Sequence, residues 1–473
     1  MSPNSSERSS VKDQQTIWRY FFQPVDIASL VYFRIVFGAL MFWEVCYYYN
    51  RWVQRLWIDP EFHFTYYGFD WIRPWPGSGM YIHFLILGGL AVFIIFGLWY
   101  RVSISLFCLG FTYVFLLDQA QYRSHFYLIC LISFLMIFAP AHRAFSVDAW
   151  HRPRIRSNTA PMWTLGLLIA QVSVVYFYSG LAKINGDWLR GEPIRMFFSQ
   201  FDGPLIGGLS NEWLVYLLSY GGLLFDLLVV PLLLWKKTRP FAFAVAVAFH
   251  LTNLWMLKFR FFPWLMIAVT ALYLSPDWPR RLIGRGPSAS KPPQQEADSS
   301  ERNMVLQPRQ RVVIGLVGIY LAVQFLVPLR HHLYPGNPSW TEEGHRFAWR
   351  LRLRVKEVQR AAFRVTVDQK VLKINPLRYL RPWQVREMSI HPSMILQFAH
   401  HVASEYRKKG YDGVEVRAEV RAWLNGRKPQ LLIDPKVNLV AQARPLGHLP
   451  WIVPLTEPLP PRHQATPENR SEE

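Results

Sequence analysis

The sequence predicts a mainly α-helical polytopic membrane protein with eight or nine transmembrane helices, followed by a small extracytoplasmic α+β domain. Residues 27–330 consist mostly of apolar runs, most of them long enough to cross a bilayer. Residues 331–473 are more polar, and parts of them alternate apolar and polar residues in the manner of strands. The near-zero mean hydropathy of the 473 residues, +0.08, averages over these two regions.

The net charge of +20 fits either a nucleic-acid-binding protein or a membrane protein with basic cytoplasmic loops. No nucleic-acid-binding motif accompanies this charge, so we expect no nucleic-acid partner. The predicted inner segments carry about twice as many Lys and Arg residues as the outer loops. This bias places residues 1–26 in the cytoplasm and everything after residue 330 outside. Because residues 1–26 are polar and mixed in charge, we expect the first apolar run to be an uncleaved anchor.

The apolar runs define the candidate membrane helices, of which the third and fourth are short and the pair in 240–274 is open to another interpretation. The predicted helices span residues 27–49, 79–99, 102–117, 125–141, 162–183, 212–235, 240–257, 259–274 and 312–330. Residues 51–78 mix aromatic residues with Pro and Gly, which suits an interfacial or re-entrant layer on the outer face. Residues 286–302 have the low complexity of a flexible inner loop.

The soluble region has its own pattern. Residues 346–355 alternate, with apolar residues on one face and four arginines on the other, which predicts a strand. Further strands are predicted at 361–367, 370–375 and 414–421, a helix at about 393–408, and a hairpin turn at Asn425-Gly426. The arginine face is either solvated or holds acidic substrate segments or anionic headgroups. The Pro-rich tail, residues 456–473, is predicted to be disordered.

The uncharged run MWTLGLLIAQVSVVYFYSGLA ends on Lys183, so its ammonium group lies where hydrocarbon gives way to water. A lysine at a helix end often only extends its charge to the interface. Here Ser179 and Gly180 remove bulk one turn earlier, and we expect them to leave room for a flat ring. A lysine held partly out of water gives up its proton more readily, so Lys183 is a candidate base.

Two histidines are predicted at the same outer depth as Lys183. His125 opens the fourth helix, and His250 lies in the outer half of the seventh. Polar side chains are costly in lipid, so three titratable groups at one level favour a functional pocket, although His250 alone would also suit a hydrogen-bonded core position. Three further charged residues fall at other depths, where we expect structural pairing: Arg34, Glu44 and Asp226. The three cysteines lie in apolar runs and the adjacent histidine pairs lack ligand spacing, so we predict no metal site.

Six motifs follow one another along residues 20–440: LLDQAQYRSHFYL, SGLAKINGDW, FHLTNLW, LSPDWPRRL, PLRHHLYPGNPSWTEEGHRFAW and INPLRYLRPWQV. In this succession the chain resembles the vitamin K-dependent gamma-carboxylase family, which shares an HTTM membrane domain with a wider group. The resemblance implies an HTTM-like transmembrane catalytic domain at 27–330 and an extracytoplasmic domain at 331–455. The chain is shorter than the animal enzymes, lacks the cysteines of their linking disulfide and has Phe347-Ala348-Trp349 in place of Tyr-Ser-Trp. Its size fits a bacterial-type homologue in a cytoplasmic membrane.

The resemblance also implies an activity and its residues. The family's G-x-x-K lysine, which deprotonates vitamin K hydroquinone, maps to Lys183, and its histidine that assists carboxylation maps to His125. Candidate cofactor-binding residues are Tyr178, Trp188, His250 and Asn253. The implied reaction uses reduced vitamin K or a menaquinol-type quinol, O2 and CO2. It leaves vitamin K epoxide and a γ-carboxylated glutamyl residue in a peptide or protein. A cofactor is needed because no side-chain base near neutral pH removes a glutamyl γ-proton.

Two other classes of protein share some of these features. Titratable residues inside a membrane also mark the ion paths of transporters, but neither paired broken helices nor an inverted repeat appears in the sequence. The second alternative is an HTTM membrane protein that oxidises or epoxidises a quinol without carboxylating peptides. The sequence does not separate this alternative from the carboxylase.

Overall fold

The computed structural model describes residues 20–198, 212–256, 260–284, 286, 306–444 and 446–461. Within these ranges nine apolar helices occupy the positions predicted for the membrane part, and six of them are long and apolar enough to cross a membrane. The nine are α1 (Ala28–Arg51), α2 (Gly79–Phe96), α3 (Tyr100–Leu117), α4 (Ser124–Phe138), α5 (Met162–Lys183), α6 (Glu212–Leu234), α7 (Arg239–Met256), α8 (Phe262–Thr270) and α9 (Pro308–Leu329). The predicted class, a mainly α-helical membrane protein, is confirmed.

Turns at the inner face connect these helices closely. After α2 the chain turns through Gly97, at φ +63°, and Trp99, at φ +42°, before α3 begins. A Cβ at position 97 would lie 2.7 Å from Nη1 of Arg34, so the turn needs glycine for space as well as for φ. Two short antiparallel strands, β1 (Pro24–Asp26) and β2 (Thr159–Pro161), join the segment before α1 to the segment before α5.

The outer domain is a four-stranded antiparallel sheet covered by helices. Its strands are β3 (Lys356–Val367), β4 (Lys370–Ile374), β5 (Glu415–Leu424) and β6 (Gln430–Leu431), in the order β4-β3-β5-β6. Helices α10 (Pro382–Ile390) and α11 (Pro392–Lys408) lie between β4 and β5 in the chain. The alternating inward residues of β5 pack against α11, as in Val416 and Phe398, and form one core. Asn425 and Gly426 both have positive φ, as the predicted hairpin turn requires.

The strand predicted at 346–355 is wrong, because β3 begins only at Lys356. Residues 347, 349 and 352 have φ between +53° and +63°, which breaks an extended ladder. The alternating burial survives only in part: Trp349, Leu353 and Val355 are buried, and Leu351 packs half-buried against the membrane core. The segment is therefore a chain of turns under the domain, with its apolar residues packed on the membrane helices.

The outer domain is bound to the loops that emerge from the membrane part. In the aromatic segment 52–78, Phe64 is fully buried in the outer-domain core, and the backbone N–H of Thr65 donates to Gln397 Oε1 at 3.0 Å. Residues 456–461 also belong to this domain, since Glu457 donates its N–H to Gln430 Oε1 at 2.9 Å. The predicted disordered tail is thus wrong for 456–461, whereas residues 462–473, and 287–302 of the predicted inner loop, lie outside the described residues.

A labelling experiment tests which side of the membrane each part occupies. In a background with the three cysteines replaced, we expect a membrane-impermeant thiol reagent to label Asp412→Cys in sealed right-side-out vesicles. Asp412 lies exposed at the outer-domain loop before β5. The matched variant Arg154→Cys, exposed on the loop before β2, should be labelled only after the vesicles are opened. The reverse pattern would contradict the orientation.

Candidate functional site

A cavity of about 960 Å³ lies where the outer ends of the membrane helices meet the outer domain. Such a volume is at the upper end of the roughly 300–1,000 Å³ usual for small-molecule sites. Its walls are mainly aromatic and aliphatic, with a few charged side chains. The charged and polar lining residues include Glu44, His125, Ser179, Lys183, Asp226, His250, Asn253, Arg260, Arg350, Arg352 and Glu387. An apolar cavity with a few convergent polar groups is the form that a binding or active site takes.

Lys183 lies at one end of this cavity in a closed polar triangle. Its Nζ donates to Oδ2 of Asp226 at 2.5 Å and to Oγ of Ser179 at 2.9 Å. The Ser179 hydroxyl donates in turn to the same Asp226 oxygen at 2.6 Å. The Lys183 ammonium also lies 5.1 Å from the Trp188 ring, within cation–π range. Both charged side chains are almost fully buried, with 6% and 7% of their surfaces exposed, so solvent does little to screen the pair.

The contact between Lys183 and Asp226 follows from how α5 meets α6. A Cβ at Gly180 would come within 2.7 Å of the Leu227 side chain and 3.1 Å of its backbone nitrogen. Gly180 therefore allows the two helices to approach and does not, as the sequence suggested, leave room for a ring in the cavity. Ser179 is likewise taken up by Lys183 and Asp226. The small residues before the lysine build the ion pair.

His125 lies in a second charged cluster of the cavity. Its Nε2 is 3.9 Å from Oε1 of Glu44, which is buried in α1 and also pairs with Arg260. The Arg260 guanidinium lies 3.4 Å from the centre of the Tyr47 ring. His125 keeps 20% of its side chain exposed, so it can reach a ligand in the cavity. A carboxylate and the guanidinium that pairs with it thus lie close to an imidazole at the start of α4.

His250 borders the cavity but is bonded into the helices behind it. One ring nitrogen lies 2.8 Å from the Tyr176 hydroxyl, which lies 3.0 Å from Oγ1 of Thr270. His250 is 3% exposed, and its other faces contact Phe225 and Phe249. This arrangement suits a wall residue that is fixed in orientation.

The cavity brings together five of the six residues predicted for the site, and their roles stay predictions. These five are His125, Lys183, Trp188, His250 and Asn253. Tyr178 does not line the cavity, because its hydroxyl donates to the backbone oxygen of Phe325 in α9 at 2.6 Å. A helix turns about 100° per residue, so Tyr178 faces α9 while Ser179 and Lys183 face the cavity. The position of Tyr178 gives no support to its assignment to cofactor binding, which stays a prediction.

The outer domain covers the outer side of the cavity and contributes charged residues to its lining. Arg350 and Arg352 come from the chain of turns at 346–355, and Arg386 and Glu387 come from α10. Burial lowers the pKa of Arg350 to about 10 and also lowers the pKa of Arg352. Burial raises the pKa of the Glu387 carboxyl. Arg350 is half-buried and short of water, a state in which a carboxylate ligand is favoured, whereas Arg352 keeps an exposed side chain beside the cavity.

Sequence reasoning missed the partners of the two candidate catalytic residues. Asp226 and Glu44 were noticed as charges in apolar runs, but they were expected at other depths. The sequence did contain one signal for the pairing of Lys183 with Asp226. An unpaired charge is costly in lipid, so Lys183 needs an acidic partner and Asp226 needs a basic one. Arg260 falls at the start of the helix predicted at 259–274, and nothing in the sequence pointed from it to Glu44.

Comparison with protein families identifies the chain in two steps. Residues 22–278 match the model of the HTTM domain, so the chain belongs to the class of HTTM membrane proteins. Residues 309–458 match the model of the vitamin K-dependent gamma-carboxylase lumenal domain. With both domains in this order, the chain belongs to the vitamin K-dependent gamma-carboxylase family. It is an integral membrane protein with a lumenal or extracytoplasmic C-terminal domain. No solved structure matches the chain.

The buried ion pair can be tested by a double-mutant cycle. Lys183→Met and Asp226→Leu, made singly, should each lower the free energy of unfolding by about 3–5 kcal/mol, because each leaves a buried charge unpaired. The double variant should lose far less than the sum of the two. Thermal unfolding in detergent provides the measurement, with the exposed Lys236→Met as a control that should change little. Additive losses would mean that the two groups do not interact.

Proposed function

We propose that the chain couples the oxidation of vitamin K hydroquinone by O2 to the carboxylation of glutamyl side chains by CO2. The observation that carries this proposal is a lysine paired with Asp226 and a histidine 3.9 Å from Glu44, both in one apolar cavity beneath the outer domain. Family membership supports the choice of a carboxylase over a transporter. We further propose that the chain lies in a bacterial cytoplasmic membrane and acts on glutamate-containing peptides or proteins outside it.

The residues of the cavity suit a quinol of the vitamin K type. Aromatic walls such as Tyr48, Phe249 and Phe261 can pack against a flat ring, and Trp188 and Asn253 complete the Lys183 end. Because membrane helices form the walls, a lipid-soluble ligand can enter from the bilayer. When bound and oxidised by O2 to its epoxide, reduced vitamin K supplies a base strong enough to remove a glutamyl γ-proton.

Lys183 is the proposed base that starts the reaction, with Nζ as the atom that takes up the proton. It accepts a proton only as the neutral amine. The ammonium that then forms is held by the Asp226 carboxylate and the Ser179 hydroxyl, which lie at 2.5 and 2.9 Å from Nζ. The cavity excludes water from this pair, which strengthens the interaction and protects a strong base from solvent.

His125 is the proposed aid to carboxylation. Its ring lies against Phe261 and next to Glu44, in the same cavity as the ion pair of Lys183. A hydrogen bond from the imidazole to negative charge that develops on the substrate lowers the barrier of that step. Phe126, Phe261 and Phe262 pack around the ring. In this proposal Lys183 takes up the proton and His125 assists carbon–carbon bond formation within one cavity.

Arg350 and Arg352 are the proposed binding groups for the carboxylate of the glutamyl substrate. They enter the cavity from the outer domain, the side from which a secreted peptide arrives. The alternative of a purely solvated face fits Arg350 less well, since its side chain is half-buried, whereas Arg352 is exposed and lines the cavity. Guanidinium groups bind carboxylates in a fixed geometry, which would hold the γ-carbon of the substrate over the cavity.

A direct assay of Lys183 tests the proposal. We expect the purified protein, given hydroquinone, O2, labelled CO2 and a Glu peptide, to form epoxide and labelled peptide. Lys183→Arg should lower both by roughly 10²–10⁴-fold, because a guanidinium stays protonated and cannot act as a base. Lys183→Ala should fail near neutral pH yet regain activity as pH rises and the hydroquinone ionises unaided.

Each other outcome of this assay has a distinct meaning. An active Lys183→Arg protein with the wild-type pH profile would exclude Lys183 as the base. Epoxide without labelled peptide in the wild type would favour the alternative of a quinol-oxidising protein that does not carboxylate. Neither product would argue against both enzyme functions.

A second prediction concerns Arg350 and Arg352, the two arginines that the outer domain contributes to the cavity. Replacing Arg350 and Arg352 by Gln should raise KM for a Glu-rich peptide about tenfold, which equals about 1.4 kcal/mol, and should flatten its salt dependence. The matched control replaces Arg364 and Arg417, which lie on the exposed part of the sheet and pair with surface glutamates. Equal changes in both double variants would indicate a general charge effect and would mean that Arg350 and Arg352 do not bind the peptide.

A further inference from the structure

A second cavity, of about 670 Å³, lies at the inner face of the membrane part, remote from Lys183. It is formed by the inner ends of α1 and α2 and by the loop that follows α4. Its basic lining residues are Arg34, Arg143 and Arg156. The proposed reaction uses none of these residues, and neither family comparison assigns them a role.

At the base of this inner cavity lies a buried cation. Arg34 is 0% exposed, and its terminal nitrogens donate to backbone oxygens, including those of Ala141 at 2.9 Å and Phe145 at 2.5 Å. Its Nε has no hydrogen-bond partner among the described residues. The acid that acts on it electrostatically is Asp148, whose oxygens already accept the backbone N–H groups of residues 99 and 100. A buried guanidinium held by neutral carbonyls favours an anionic ligand.

The rim of the inner cavity adds charge and aromatic surface at the level of the bilayer interface. Arg143 and Arg156 are both exposed, and the described part of the chain provides neither with an ion-pair partner. Arg156 uses its Nε to bond the Ala149 oxygen at 2.9 Å, which leaves its terminal nitrogens directed outward. Phe145 and Trp150 line the same cavity and are 81% and 70% exposed. Exposed aromatic side chains beside arginines are typical of a membrane interface on the cytoplasmic side.

We propose that this inner cavity binds the phosphodiester headgroup of an anionic phospholipid from the inner leaflet. Arg34 adds its positive charge at the base of the cavity, and the exposed Arg143 and Arg156 neutralise the anion at the rim. The exposed Phe96 at the end of α2 extends the apolar surface along which the acyl chains lie. A lipid is favoured over a dissolved anion because the walls are lipid-facing helices as well as a basic loop. This arrangement requires glycine at position 97, since any side chain there would displace the Arg34 guanidinium.

The proposal is tested by measuring which lipids the purified full chain retains. The protein is equilibrated with mixed micelles that contain phosphatidylglycerol or phosphatidylcholine at equal fractions, and bound lipid is counted by native mass spectrometry. The site variant is Arg143→Gln with Arg156→Gln. The matched control is Arg152→Gln with Arg154→Gln, which removes the same charge from the same loop but not from the cavity lining. All four arginines are exposed, so both proteins should fold, and thermal unfolding verifies this.

We expect the wild type and the control to retain phosphatidylglycerol in preference to phosphatidylcholine. The site variant should bind phosphatidylglycerol roughly thirtyfold more weakly, from the loss of two interfacial charges. Three results would overturn the proposal. One is a wild type without preference between the lipids, and another is an equal loss in both double variants. The third is stabilisation of the delipidated protein by inorganic phosphate as great as by phosphatidylglycerol, which would mark a site for free anions.

Discussion

An ammonium group and a carboxylate 2.5 Å apart inside the membrane part constrain the arrangement around the outer cavity. Neither charge is tolerable alone in an apolar interior, so α5 and α6 must meet at the level of Lys183. The contact requires Gly180, where α6 leaves no space for a side chain. It also requires α6 to begin well beyond the end of α5. Roughly 20 Å of α6, at 1.5 Å per residue, precede Asp226 and have to be covered by something other than α5.

The chain that follows Lys183 provides this cover. Asn185 caps a short helix by accepting the N–H of Trp188 at 3.0 Å, and the Trp188 indole donates to the Ser219 oxygen of α6 at 2.8 Å. The same turn carries Asp187, which pairs with Arg427 of the outer domain at 2.7 Å. The stretch from Lys183 to Trp188 therefore provides the ion pair, the turn that covers α6 and a contact that docks the outer domain. This turn, the loop at 118–123 and the aromatic segment 52–78 together hold the outer domain over the cavity.

The limits of sequence reasoning follow from the same geometry. Helix positions were predictable because the thickness of a bilayer fixes the length of an apolar run, and α1 and α5 lie within two residues of their predicted ends. The depth of Asp226 in the membrane was not predictable, because hydropathy gives no sign that α6 starts beyond the outer end of α5. The strand expected at 346–355 failed for a related reason. Its alternation reflects apolar contacts with the membrane helices, while Phe347, Trp349 and Arg352 adopt positive φ that no sequence pattern announced.

The candidate base and its partner have opposing requirements that the cavity reconciles. A carboxylate favours the charged form of a neighbouring amine, whereas a base has to begin as the neutral amine. Without Asp226, proton uptake by Lys183 would create an isolated cation in an apolar cavity, a state far costlier than the paired one. In the proposed reaction Asp226 would stabilise the product of proton transfer, and Ser179, which donates to the same carboxylate oxygen, would moderate the negative charge of Asp226. The pairing that makes the lysine tolerable in the fold would then also hold the ammonium that the proposed step forms.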